Sequence, residues 1–103
     1  VAYSALTTND DMMPKEFALH PAYPNPFNPT ATITFDVPAQ THSNASLRIY
    51  DITGRLVATL VDEQLAPGTH TLQWQPVNLS SGLYIVQLKA GDQTFNQKIT
   101  FIK

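Results

Sequence analysis

His20, His42 and His70, in a chain with several serines and acids, are the residue types from which a Ser-His-acid hydrolytic centre is assembled. Their surroundings point elsewhere. His20 lies among prolines, His42 in the polar turn Gln40-Thr41-His42-Ser43-Asn44 and His70 in an alternating stretch, and no serine sits in a Gly-x-Ser-x-Gly elbow. The simpler reading is three surface or half-buried histidines. Asp36, Asp51, Asp62, Glu63 and Asp92 could pair for glycoside hydrolysis or hold a shallow calcium ion. Each falls where a strand end or turn is expected, however, and there an acid serves backbone hydrogen bonding. None has the ligand spacing of a calcium loop, and no glycine-rich segment could cradle a phosphate. Without cysteine there is no disulfide, thiolate zinc site or thiol nucleophile, so no cofactor or metal is expected. Trp74, Tyr50 and Tyr84 are the candidates for a sugar-stacking platform of a carbohydrate-binding module, but alternation turns Tyr84 inward and puts Trp74 on one face with Leu72, so only Tyr50 is expected outward.

The elements that would position these residues follow from size and pattern. At 103 residues the chain has room for one core, and 43% apolar against 14% charged residues permits a packed interior. A net charge of −2 with six scattered basic residues lacks the footprint of a nucleic-acid or anionic-membrane binder. No run approaches the roughly 20 apolar residues of a membrane-spanning helix. The start, Val1-Ala2-Tyr3-Ser4, is not a signal peptide and lacks an initiator Met, which suggests a piece of a longer or processed protein. Residues 1–16 have linker composition, and residues 17–103 carry the folding pattern.

Phe17-Ala18-Leu19-His20-Pro21 is expected to be short and extended. It leads into Tyr23-Pro24-Asn25-Pro26-Phe27-Asn28-Pro29, where three prolines forbid helix or central strand. This is a rigid strap, expected to pin Tyr23 and Phe27 against one end of the core. Beyond it the period is two. Ala31, Ile33, Phe35 and Val37 alternate with threonines; Ala45, Leu47 and Ile49 alternate with Ser46, Arg48 and Tyr50; Leu56, Ala58 and Leu60 continue after Asp51-Ile52-Thr53-Gly54. In that turn Asp51 can accept a backbone N–H and Gly54 can take a positive φ. Placing Tyr50 opposite Arg55 pairs Ile49 with Leu56 and Leu47 with Ala58. Pro67-Gly68 has the chemistry of a type II turn, and His70, Leu72 and Trp74 form the next inward face, with Leu79 as a plug after it. A Gly91-Asp92 turn pairs Leu88 with Phe95, Val86 with Gln97 and Tyr84 with Ile99, one apolar face spoiled by Gln97, which should lie near a sheet edge. Leu83, Ile85 and Ile102 share the outer face with Lys98, a possible docking patch. The expected fold is an all-β, immunoglobulin-like antiparallel β-sandwich of six or seven strands, with an unprotected edge strand as a route to a homodimer.

Three signatures coincide: the strap from Tyr23 to Pro29, Tyr50-Asp51-Ile52-Thr53-Gly54-Arg55, and Ser81-Gly82-Leu83-Tyr84 with the terminal Gln97-Lys98-Ile99-Thr100-Phe101-Ile102-Lys103. Together with Pro67-Gly68 they resemble the type A C-terminal sorting domain of the type IX (Por) secretion system, carried by many secreted proteins of Bacteroidetes. The resemblance covers about residues 17 to 103, and a similar immunoglobulin-like module occurs in flagellar hook-capping proteins. It implies a non-catalytic address behind an N-terminally fused cargo, recognised by the outer-membrane translocon. A sortase would cut ahead of Phe17, within the linker, and the cargo would pass from the periplasm to the cell surface or the medium. Carried onto this chain, the recognition elements would be Gly82, Tyr84, Lys98 and Lys103. Many members have adjacent basic residues in the last strand, whereas here Gln97 precedes a single Lys98. The other readings are a carbohydrate-binding module and a purely structural immunoglobulin-like spacer of a secreted hydrolase.

Overall fold

Alternation of apolar and polar residues becomes alternation of buried and exposed ones in a computed structural model, which describes residues 16–38 and 44–103. The expected linker before Glu16 and the turn bearing His42 lie outside the described residues. Seven strands form: β1 (Ala18–Leu19), β2 (Ala31–Val37), β3 (Asn44–Asp51), β4 (Leu56–Gln64), β5 (Gly68–Trp74), β6 (Gly82–Ala90) and β7 (Gln93–Phe101). They make a three-stranded sheet in the order β1-β2-β5 and a four-stranded sheet in the order β4-β3-β6-β7. All pairings are antiparallel, and no helix occurs among the described residues. The fold is the expected all-β sandwich.

Between the sheets, Ile33, Phe35 and Val37 of β2 meet Leu47, Ile49, Val86, Leu88 and Ile99 of the larger sheet, all without exposed surface. Each such burial contributes about 1.5–3 kcal/mol. At one end the strap drives Phe27 between Trp74 and Phe101, with ring centroids 5.6 Å and 5.2 Å apart. Tyr84 meets the edge of Trp74 at 5.7 Å. Leu79 packs against this cluster as a plug.

Two expectations need correction. Tyr23 is 59% exposed, and Ala22 is buried in its neighbourhood instead. The backbone explains it: Tyr23 exchanges both hydrogen bonds with Thr32, at 3.1 and 2.7 Å, and opposed residues of an antiparallel pair point to the same side. Thr32 points outwards, between buried Ala31 and Ile33, so Tyr23 must too. The second correction is the β3-β4 register. Tyr50 faces Leu56, Ile49 faces Ala58, Arg48 faces Thr59 and Leu47 faces Val61, with shifts between Ile49 and Tyr50 and between Leu47 and Arg48. Val57 and Leu60 are the extra residues of two bulges, which reset the alternation. Val57, Ala58, Leu60 and Val61 therefore all reach the core while Leu56, expected inside, is 48% exposed.

Candidate functional site

The β6-β7 hairpin follows its expected register throughout, with Leu88 opposite Phe95, Val86 opposite Gln97 and Tyr84 opposite Ile99. The site is built on it. β7 is the edge of its sheet, and Ile99 and Phe101 are buried while Phe95 is partly so. Gln97, the polar residue in that inward row, turns out to be a clamp. Its Oε1 accepts from the Ala22 amide at 2.8 Å and its Nε2 donates to His20 O at 2.7 Å, so one side chain ties the segment that leads into the strap to the last strand.

Asn25 makes the second tie. Its amide imitates a strand, donating from Nδ2 to Lys98 O at 3.3 Å and accepting at Oδ1 from Thr100 N at 3.0 Å. Phe27 then pairs by its backbone, its N–H donating to Thr100 O at 2.9 Å and its carbonyl accepting from Ile102 N at 3.0 Å. The strap thus covers the outer edge of β7 from Lys98 O onward. Sequence reasoning placed Gln97 near an edge but missed what it and Asn25 hold; the available signal was an amide on an otherwise apolar face and another held between prolines.

Even-numbered residues of β7 direct their backbone groups to this outer edge and their side chains to the outer face. Facing outward in one row are Tyr50, Ile85 and Lys98, and in the next Arg48, Gln87 and Asn96. Gln87 Nε2 donates to Asn96 Oδ1 at 3.1 Å, which stiffens that row. A groove of about 680 Å³ runs across it, lined by Tyr50, Gly54, Ile85, Gln87, Asn96, Gln97 and Lys98. Lys98 is the one charged residue in that lining. Leu83, opposite Thr100, and Ile102 extend the face with exposures of 38% and 49%. Lys103 is exposed, and its amide donates to Ser81 Oγ at 2.7 Å.

Gly82 and Tyr84 sit differently. Gly82 pairs with Phe101 at the start of β6, and Tyr84 is 6% exposed, with its hydroxyl donating to Ser80 O at 2.6 Å. Tyr84 therefore holds the chain entering β6 and presents little surface of its own. Trp74 is also buried, so of the three rings weighed for a sugar platform Tyr50 alone lies on an outer face.

The Asp51 turn closes one end of the groove through Gly54. Asp51 Oδ1 accepts from the Thr53 hydroxyl at 2.5 Å, the Thr53 amide at 2.9 Å and the Arg55 amide at 3.0 Å. These bonds, led by the Thr53 hydroxyl and helped by the Arg55 guanidinium, hold its carboxyl below the usual range. Gly54 has φ +89°, a backbone conformation glycine adopts without strain, and Gly68 after Pro67 is likewise positive at +130°. Asp51 is thus committed to its turn. His20 Nε2 lies 2.8 Å from Asp36 Oδ2, whose other oxygen accepts from Thr69, while His70 donates to Ala66 O at 2.8 Å and stacks on Phe35. Asp36 is the penultimate residue of β2, at a strand end as expected, but it serves the side chains of His20 and Thr69 rather than the backbone. Among the described residues no cluster of three or more His, Asp or Glu could hold a metal, and no helix is long and apolar enough to cross a membrane.

Residues 21–103 match the family described as the secretion system C-terminal sorting domain. No curated protein and no solved structure matches the chain.

Proposed function

Because this chain belongs to the family of type IX secretion system C-terminal sorting domains, we propose that it is the address by which an N-terminally fused cargo crosses the outer membrane. The family is one of non-catalytic sorting signals, and it implies delivery towards the cell surface or the medium. On this reading the translocon meets the folded sandwich in the periplasm on the outer face of β6 and β7. Lys98 and Lys103 supply charge, and Leu83, Ile85 and Ile102 supply apolar contact. Gly82 and Tyr84 act by shaping the start of β6. The motif residues Pro24, Asn25, Pro26, Phe27, Asn28 and Pro29 act through the fold, by securing β7. A sortase separates cargo from sandwich ahead of Phe17, and the cargo is then anchored or released.

The family match over residues 21–103 carries this reading. Its experiment is a fusion of this chain behind a periplasmic passenger in a bacterium that has the type IX machinery. Export of the passenger, lost when residues 94–103 are removed, is the expected result. A passenger that stays in the periplasm behind the intact chain overturns the proposal in favour of a structural spacer.

A further inference from the structure

β7 has two edges in one. From Lys98 O to Ile102 N the outer side is occupied by Asn25 and Phe27. From Thr94 to Lys98 N it is not: the N–H and C=O of Thr94 and Asn96 and the N–H of Lys98 point outwards with no partner among the described residues. An unpaired row of this kind is a template for an added strand. The other three edges compare poorly. β5 (Gly68–Trp74) carries no Lys or Arg that could select a charged partner. β4 is twice bulged and carries Asp62 and Glu63, features that resist pairing, and β1 is only two residues long. The open half of β7 also borders the groove of Tyr50, Ile85, Gln87, Asn96 and Lys98, whose only charge is positive and whose floor is apolar at Ile85 and Tyr50. A strand laid on the edge would bring alternate side chains over that floor.

We propose that the open half of β7 takes a short extended segment of a partner protein by strand addition, and that the segment carries an acidic side chain towards Lys98. The occupant is fixed by two chemical demands. Backbone groups at Thr94, Asn96 and Lys98 require an extended chain, because main-chain pairing supplies the attraction while the neighbouring pocket supplies specificity. Lys98, with no acid in the groove to neutralise it, selects carboxylate over neutral or basic side chains. The covered half limits the added strand to about three residues of pairing, so binding is weak and reversible. This deepens the sorting function, and it rests on that reading only for the partner's membership in the export machinery.

The test uses the full chain labelled with nitrogen-15 and a capped peptide, Thr-Val-Asp-Val-Thr, as the probe, with its Asn and Lys versions as controls. Amide shifts should concentrate at Thr94, Asn96 and Lys98, and the Asp peptide should bind at least about 5-fold more tightly than the Asn one at low salt, a difference that fades as salt screens the pair. Lys98→Gln should abolish the preference for Asp and keep residual binding. Asn96→Pro should abolish binding, and its outward N–H is one that proline can replace at an edge without breaking the β6 ladder; its thermal unfolding is measured alongside, and if it fails to fold Asn96→Glu stands in, whose carboxylate beside Lys98 should weaken the Asp peptide and remove its preference over the Asn one. Shifts spread over the β5 edge, equal binding of the three peptides, or a dimer of the chain through β7 that excludes the peptide would each overturn the inference. Export of the fused passenger is scored separately, so normal export with no peptide binding removes this inference and leaves the sorting role standing.

Discussion

The two outer hairpins of the four-stranded sheet were built by similar sequence patterns and came out differently. β6-β7 is a straight ladder in which every residue of β7 has one partner. β3-β4 is broken twice, and its outer strand keeps four apolar residues only partly covered. What separates them is the environment of the outer strand. β7 is held from beyond the sheet by Asn25, Phe27 and the Gln97 clamp, which fix the depth of Ile99 and Phe101. β4 has no strand beyond it in the sheet order, and bulges let Val57 and Leu60 turn inward as well. Inward residues of an edge strand are buried here where something outside the sheet holds the edge, as at Ile99 and Phe101, and only partly covered where nothing does, as at Phe95 and along β4.

That contrast can be broken most directly in the core. Ile99→Ala in β7 should cost about 2–5 kcal/mol in urea unfolding, whereas Leu60→Ala in β4 should cost about 1–2 kcal/mol because the site is half open and can relax. Equal losses would mean that the two edges are equally fixed. Gln97→Leu comes next: it leaves the Ala22 amide and the His20 carbonyl without their partner, at about 1–3 kcal/mol, and should speed hydrogen exchange at Ala22. No change in that exchange would remove the clamp from the explanation. A smaller effect belongs to the β3-β4 turn. The folded pKa of Asp51 lies below its unfolded value of 3.8, so the ionised form stabilises the turn above about pH 4 and this contribution is lost as the pH falls through the folded value. Asp51→Ala should therefore unfold more easily at pH 7 and lose less stability than the parent chain on acidification to about pH 3; parallel pH curves for the two proteins would contradict it. The smallest effect on stability is expected for Lys98→Ala, within about 0.5 kcal/mol of the parent, with export of a fused passenger clearly reduced. Undiminished export would remove Lys98 from the docking face.

The same contrast explains what could be read from the sequence. In β6 and β7 strict alternation around Gly91-Asp92 fixed the pairing, because a slip of one residue would turn Ile99 and Phe101 to water. It also placed Lys98, Ile85 and Leu83 on a common outer face. In β4, Leu56-Val57-Ala58-Thr59-Leu60-Val61 suits several registers, and nothing local says where a bulge falls. Tyr23 departs from expectation because its direction is set by pairing with Thr32, a contact made across nine residues and invisible to local composition. The ties of Asn25 to Lys98 and Thr100, and of Gln97 to His20 and Ala22, join opposite ends of the described chain. No periodicity announces them, although an amide in an apolar row is a reason to look for a buried backbone partner.

The tie between strap and final strand also sets an order of events at the ribosome. Phe27 and Asn25 emerge early, but the groups that receive them, Thr100 and Phe101, are synthesised more than seventy residues later. Until then the nascent sandwich is unsealed, and a product terminated before β7 never seals. The closing of the fold thereby reports that the whole stretch from Asn25 to Phe101 has been made.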